Sequence, residues 1–542
     1  LVLLLLGAVA FWFSGGSRGG GDTIVIATGD DIKTLDPGAM SWQNDIRVAL
    51  GLWEGLVTYE PQTLRPLPGV AERWETSADG LEWTFHLRPE ARWSNGDAVT
   101  ARDFIFAWKR CLTPATAAEY LTLFYYIRGA EAYYRALDAK QPADFAQVGI
   151  VAPDAHTLRV TLRAPCAFLL DLLAFAPFLP LHEASMAKFL NVPGDASGGY
   201  SANWTRPPGL VSNGPFVLSS WSVKRELVLT ANPYYWDRAN VGSPRLRFTP
   251  IADHRAAYLA YQGGAVDVMT WVPPGFGPEL LKEQQAGLRK DVHFQPVFGT
   301  YYWIFNHRQA PFTDVRVRKA LTLAIDRQKI TRDVTRLGQI PCLSLTPPGA
   351  IPGYTAPAGV AEDIKLAQAE LAAAGYPGGQ GLPELEFLYN TEGAHGLVAQ
   401  AVAAMWQEHL GVRVRLRAQD RATFSKDRRQ QNFQLCRSGW YGDYLDPTTF
   451  LFLFRSDDGN NDGKYNNPAF DALLRQADAT VDPAARMGLL RQAEAILVEQ
   501  DFALIPLYVY SDGMMFDAAK IGGLELNPKM LMPLKGIRRV KR

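Results

Sequence analysis

Between Pro383 and Asp443 the apolar positions switch back and forth between strand-like and helix-like spacing. "ELEFLYN" (384–390) reads as a strand. "GLVAQAVAAMWQEHLG" (396–411) reads as an apolar-rich helix closed by Gly411, a residue suited to a helix C-cap. "VRVRLRAQ" (412–419) sets Val412, Val414 and Leu416 against intervening arginines, as a half-buried strand would. A short polar helix from Thr423 to Arg429 precedes a third strand, "FQLCRSG" (433–439). The β-α-β-α-β order predicts an open, largely parallel sheet, in which ligands bind beyond the carboxyl ends of the strands. His395 opens the helix after the first strand, Arg437 sits near the end of the third, and Asp443 lies in the loop just past it. Topology alone therefore brings three distant polar residues to one edge.

Elsewhere the pattern is equally periodic. "DTIVIATGDDIKTLDP" (22–37) begins as a short apolar strand and runs into a loop. "LEWTFHL" (81–87) alternates Trp83, Phe85 and Leu87 with polar neighbours. In "WSNGDAVTARDFIFAWKR" (93–110), Asn95-Gly96 signals a turn, and Thr100 with Asp103 forms a capping box for the helix beyond. The opening "LVLLLLGAVAFWF" is a 13-residue apolar run followed by the flexible linker "SGGSRGGG". It reads as an export signal or a retained membrane anchor, and no Cys follows it to carry a lipid.

At 542 residues the chain calls for two or three domains, and 47% apolar with 20% charged residues is a globular composition. The 55 basic and 55 acidic residues cancel, which argues against a nucleic-acid partner. Cys111, Cys166, Cys342 and Cys436 form no CxxC pair, so metal and dithiol redox chemistry are unsupported, and either disulfides or buried thiols fit. There is no GxSxG elbow, HExxH, P-loop or GxGxxG, and the eight histidines never fall at helical ligand spacing. No enzyme, metal or cofactor is expected. In "SGWYGDYLDP" (438–447), Asp443 lies among Trp440, Tyr441 and Tyr444, with Arg437 and Arg455 the nearest basic residues in sequence. A carboxylate among aromatics loses hydration unless a positive charge compensates it. The expected compensation is a cation from outside the chain.

"PGVAERWETSADGLEWTFHLRPEARWSNGDAVTARDFIFAWKR" (68–110) resembles the signature of solute-binding protein family 5, the extracytoplasmic peptide- and nickel-binding proteins of ABC importers. "LWEGLV" at Leu52, "VSNGPFVLSSW" at Val211, "NPYYWD" at Asn232, "GTYYWIFNHRQAPFTDVRVRKALTLAIDR" at Gly299, "SGWYGDYLDPTTF" at Ser438 and "NNPAFDALL" at Asn466 continue the likeness in order. The pattern is most similar to the oligopeptide-binding members. The resemblance implies an α/β fold of the periplasmic binding protein type II kind, two lobes closing on a hinge plus an extra domain. It places lobe I at 22–54, 180–297 and 511–542, the extra domain at 55–179, and lobe II at 298–510, behind a 1–21 signal or anchor segment. It implies a monomeric receptor for short peptides that serves the membrane permease subunits of an ABC importer. It matches Asp443 to the peptide's α-ammonium and Trp440 to a side-chain pocket. Arg437, His395 and Arg428 match the basic groups that meet the carboxylate, His395 contributing most when protonated, and Tyr120, Asn460 and Tyr510 line the ligand.

Four departures bear on peptide length and backbone pairing. Ser41 stands where an acidic residue is common, Thr335 falls near a lysine position, "MTWVPPGF" (269–276) lacks a Tyr-Asn pattern, and Tyr441 replaces a disulfide cysteine. The rival readings are a binder of a non-peptide solute (nickel chelate, haem or oligosaccharide) on the same fold, and a tethered ligand sensor.

Overall fold

The structure is a computed structural model that describes residues 22–191, 199–273 and 275–541. The apolar run and linker at 1–21 lie outside the described residues. Two strands, Val292–Phe305 and Leu504–Phe516, are much longer than the rest and pair antiparallel along most of their length. They are continuous β sequences because nearly every residue from 297 to 305 and from 504 to 509 is buried, with aromatic or β-branched residues predominating. One half of the pair joins Leu435–Tyr441, Leu385–Asn390 and Val414–Gln419. The other half joins Val268–Met269, Thr23–Ala27, Arg245–Thr249, Glu226–Ala231 and Phe216–Ser222. The outcome is one eleven-stranded sheet among the described residues, counting Ile340–Pro341 at the side of Leu504–Phe516.

The pairing between the two long strands breaks register between Pro296 and Thr300 and again between Tyr301 and Tyr302. Such bulges bend a strand and raise its local twist. They fall between the two halves of the sheet, where a pair of strands alone connects one set to the other. Gly442 lies beside this break, and a Cβ there would collide with the Phe298 ring.

Past the break, alternation along Val292–Phe305 sorts its side chains onto two faces. Tyr301, Trp303 and Phe305 pack with Phe387, Val402 and Trp406. Phe298, Tyr302 and Ile304 pack with Phe450, Leu474 and Leu497. Another core joins Ile24, Trp53, Phe248 and Leu534 to Phe85, Trp108 and Phe178. It therefore fuses a four-stranded antiparallel sheet, ordered Ala71–Thr76, Glu82–Leu87, Thr157–Thr161, Ile150–Asp154, to the half that contains the 23–27 strand.

The β-α-β-α-β unit forms as its pattern predicts. Leu385–Asn390 pairs parallel with both Val414–Gln419 and Leu435–Tyr441. Gly411 ends helix His395–Leu410 with φ 67°, the left-handed C-cap conformation. The expected open, parallel arrangement forms in these three strands, and Thr23–Ala27 pairs parallel with Arg245–Thr249 and Val268–Met269 in the other half. Leu435–Tyr441 meets Val292–Phe305 antiparallel, and the whole sheet is mixed. At the helix Ala101–Cys111, the Thr100 N–H donates to Asp103 Oδ2 at 2.7 Å, as the capping box requires. All four cysteines are free and buried, and burial pushes the Cys111 and Cys436 thiols up to about 12.

Asp446 accepts from Thr448 N and Oγ1 at 3.0 and 2.6 Å, closing the turn after Asp443. It also takes a two-pronged pair from Arg486, at 2.5 and 2.9 Å, with both side chains under 5% exposed. Removing one member of a buried pair strands the other's charge. Arg486→Met is expected to lower the unfolding free energy by about 3–5 kcal/mol in urea melts at neutral pH. Replacing Asp446 and Arg486 together by apolar residues should cost less than Arg486→Met alone.

Candidate functional site

Strand Leu435–Tyr441 delivers three residues to the junction between the halves of the sheet. Arg437 lies opposite Trp303, Trp440 opposite Thr300, and Tyr441 opposite Gly299 in register. Because side chains alternate, Arg437, Gly439 and Tyr441 share one face. Gly439 is required there, since a Cβ would run into the Tyr510 hydroxyl. Tyr510 stacks on Tyr441 at 4.6 Å between centroids and 9° between planes, and Tyr441 is 59% exposed on its other side. Tyr301 stands edge-on to Tyr510 at 5.9 Å, completing an aromatic wall.

Arg437 and His395 meet on this wall. The guanidinium donates to His395 Nε2 from Nη2 at 2.8 Å and from Nε at 3.2 Å. It lies 5.8 Å from the centroids of both Tyr301 and Phe424, and no carboxylate pairs with it among the described residues. The imidazole stacks on Tyr301 at 5.4 Å. Burial and then the Arg437 charge push the His395 pKa down to about 3. His395 Nε2 thus orients the guanidinium, and burial together with the Arg437 charge disfavours the protonated imidazole here.

Arg428 is committed elsewhere. Its Nε donates to Asp462 Oδ2 at 2.6 Å, and both side chains are largely buried. The arginine expected to meet a ligand carboxylate thus already holds a resident acidic partner. Asn460 is exposed on the same loop as Asp462, its N–H donating to Asp458 Oδ1 at 2.8 Å. Its neighbour Asn461 is the buried one, tied to the Arg455 and Tyr465 carbonyls.

Asp443 follows the strand at the start of the next loop. Its N–H donates to Thr449 Oγ1 at 3.0 Å, and the same oxygen is 3.4 Å from Trp440 Nε1. Arg437 does not fold back onto it. Among the described residues no hydrogen bond reaches the Asp443 carboxylate, and burial raises its pKa to about 6 against a partial opposing pull from Lys529. Tyr120 lies near enough for the Asp443 charge to add to burial in pushing its phenol up to about 12, and its ring meets Phe175 edge-on at 4.8 Å.

Lys529 and Asp171 were not foreseen. Lys529 Nζ donates to the Asp443 carbonyl at 2.7 Å and stands 3.9 Å from Asp171 Oδ2, with both side chains under 10% exposed. Asp171 Oδ2 accepts from the Leu445 N–H at 2.7 Å, while its Oδ1 is buried without a partner. Two carboxylates, Asp171 and Asp443, thus share one buried lysine. The cluster lacks one positive charge. The Asn527-Pro528 turn signal precedes Lys529 in sequence, but nothing local tells which carboxylates the lysine will meet.

The departures take plain places. Ser41 is exposed, Met269 is buried in a strand, and Thr335 is buried with its hydroxyl donating to Gln339 Oε1 at 2.9 Å. Among the described residues no group of three or more His, Cys, Asp or Glu is arranged to hold a metal ion, and no helix is long and apolar enough to cross a membrane.

Comparison with known proteins agrees with this architecture. The chain is 36% identical over 498 residues to the periplasmic oligopeptide-binding protein OppA of Salmonella typhimurium, covering 90% of this chain and 87% of that one. Its structure is similar to the unliganded open form of the periplasmic murein tripeptide-binding protein MppA, with TM-score 0.82, 33% identity, and 97% and 98% of the two chains covered. It is also similar to Haemophilus influenzae OppA in complex with RPPGFSPFR, with TM-score 0.73, 31% identity, and 96% and 99% covered. The model of the bacterial extracellular solute-binding proteins, family 5 Middle, matches residues 65–462. This chain belongs to the bacterial extracellular solute-binding proteins of family 5.

Proposed function

We propose that the protein is a periplasmic or otherwise extracytoplasmic receptor that captures short peptides between two lobes and delivers them to the permease subunits of an ABC importer. The observation that carries the reading is the missing positive charge beside Asp443. An α-ammonium at its carboxylate supplies that charge and three donors at once. Arg437, held by His395 and paired with no carboxylate among the described residues, offers a fork to a peptide's carboxyl group. The Tyr441–Tyr510 stack and Trp440 supply apolar walls for side chains, a surface that accepts varied residues.

In this reading residues 22–54, 180–297 and 511–542 form one lobe, 298–510 the other, and 55–179 an extra domain. The lobes close about the register break near Phe298. The receptor works as a monomer, and the apolar run at 1–13 serves export as a signal or retained anchor. The relatives named for oligopeptide and murein peptide binding support peptides as the solute class.

Calorimetric titration tests the site. Asp443→Asn should weaken binding of free-amine peptides by roughly 2–5 kcal/mol, the usual cost of truncating one partner of a buried charge pair. An N-acetylated peptide should bind wild type poorly and lose little more in the variant. Equal wild-type affinity for free and acetylated peptides would sink the assignment.

The raised pKa adds a pH dependence with a definite sign. Asp443 is held protonated below about pH 6 in the free protein, and pairing with an ammonium pulls its pKa down. Binding therefore releases a proton below that pH. Affinity for free-amine peptides should fall by up to about tenfold per pH unit below about 6. Above that pH it should level off, with the profile of Asp443→Asn flat over the same range.

A further inference from the structure

The loop that carries Asp443 is not held by its own strand layer alone. Its N–H is tied to Thr449 and its carbonyl to Lys529, so both backbone polar groups of this one residue are fixed. Two fixed peptide planes fix the Cα–Cβ direction, and so the origin from which the carboxylate reaches. Leu445, two residues on, donates to Asp171. Tyr444 between them is buried and stacks face to face on Phe168, at 4.1 Å and 8°. The loop is thereby clamped against the 168–171 segment, far from it in sequence.

Lys529 is itself presented by a rigid turn. Asn527 accepts from the Leu531 N–H at 2.9 Å and donates to the Leu531 and Pro61 carbonyls at 2.7 and 3.0 Å. The turn sits on the register break of the long strands. The Phe298 N–H donates to the Pro528 carbonyl at 2.7 Å, and the Phe298 carbonyl accepts from the Gly442 N–H at 2.8 Å. Gln295 Nε2 donates to the Asn527 carbonyl at 2.7 Å. One bulge residue therefore touches both the turn that presents Lys529 and the loop that presents Asp443.

From this geometry we infer that Lys529, braced by Asp171, is a positioning residue for recognition of the peptide's amino terminus, and that it anchors the Asp443 loop to the hinge and to the 168–171 segment. Its ammonium bonds the carbonyl and leaves the Asp443 carboxylate without a hydrogen-bond partner among the described residues. A lysine paired with that carboxylate would neutralise it and exclude the guest. The ion pair with Asp171 holds Lys529 in this orientation, and burial makes the arrangement costly to leave. The inference rests on the assignment of Asp443 to the guest ammonium.

The test compares wild type with Lys529→Met, Lys529→Arg and Asp171→Asn in two measurements. In the first, hydrogen exchange of the 441–449 segment is followed by mass spectrometry on ligand-free protein. Lys529→Met and Asp171→Asn should speed exchange there, while Lys529→Arg, which retains a donor and a charge, should stay close to wild type. In the second, the ratio of affinities for a free-amine peptide and its N-acetylated form is measured. It should fall about tenfold in Lys529→Met, the effect of losing one hydrogen bond from a charged group, and recover in Lys529→Arg. Unchanged exchange overturns the anchor. An equal loss of affinity for both peptides, or an unchanged ratio, overturns the positioning role. A wild type that does not discriminate the two peptides overturns the assignment of Asp443 instead, and the exchange data still decide the anchor.

Discussion

Two strands join both halves of the large sheet, and its other strands are placed relative to them. Val292–Phe305 and Leu504–Phe516 share one ladder on either side of a break in register, so the connection between the halves of the sheet is backbone paired to backbone. A pair of strands tolerates bending and twisting at a bulge without losing its ladder on either side. Through Gly442, Pro528 and Lys529 the recognition loop is fastened to that break. The Asp443 cluster therefore sits at the junction of the two halves of the sheet. Arg437 and His395, farther along the strand, lie away from the break and would move with one half.

The electrostatics follow the same division. At one end, two carboxylates share a single buried lysine, and burial lifts one of them into the range where it gains or loses a proton under mild conditions. At the other, one guanidinium has an imidazole as its polar neighbour and, among the described residues, no acid to pair with it. Each end is expensive to desolvate unaided and becomes cheaper when an opposite charge arrives. A molecule with an ammonium at one end and a carboxylate at the other satisfies both. Neither a neutral oligosaccharide nor a metal chelate has that polarity.

Much of this was legible because it is local. Period and capping set the β-α-β-α-β unit from Leu385 to Tyr441, and the parallel pairing of its strands brought His395 beside Arg437 without further information. The aromatic surroundings of Asp443 announced a carboxylate short of counter-charge. The mixed character of the sheet was hidden because the antiparallel partner of Leu435–Tyr441 comes from Val292–Phe305, more than a hundred residues earlier. The partners of charged groups were hidden for the same reason. Arg428 in a basic run reads as a solvated or ligand-facing cation, and only the packed loop reveals Asp462 against it. Lys529 lies 86 residues from Asp443, and no pattern in either segment refers to the other.

The lysine changes what the aspartate means. Seen along the chain, Asp443 lacked any cation, and the simplest completion was a guest carrying the whole compensating charge. In the folded protein Lys529 already moderates the cost of burying it, yet spends its hydrogen bond on the carbonyl rather than the carboxylate. A fully uncompensated acid at that depth would stay protonated and offer a guest ammonium a neutral carboxyl. A fully paired one would have no affinity to spare. The half-compensated state lies between these limits: Asp443 ionises at about pH 6 and still gains from a second cation. Asp171 stands 3.9 Å from the same Nζ and accepts from the Leu445 amide, which sets a second acid beside Asp443 for one lysine.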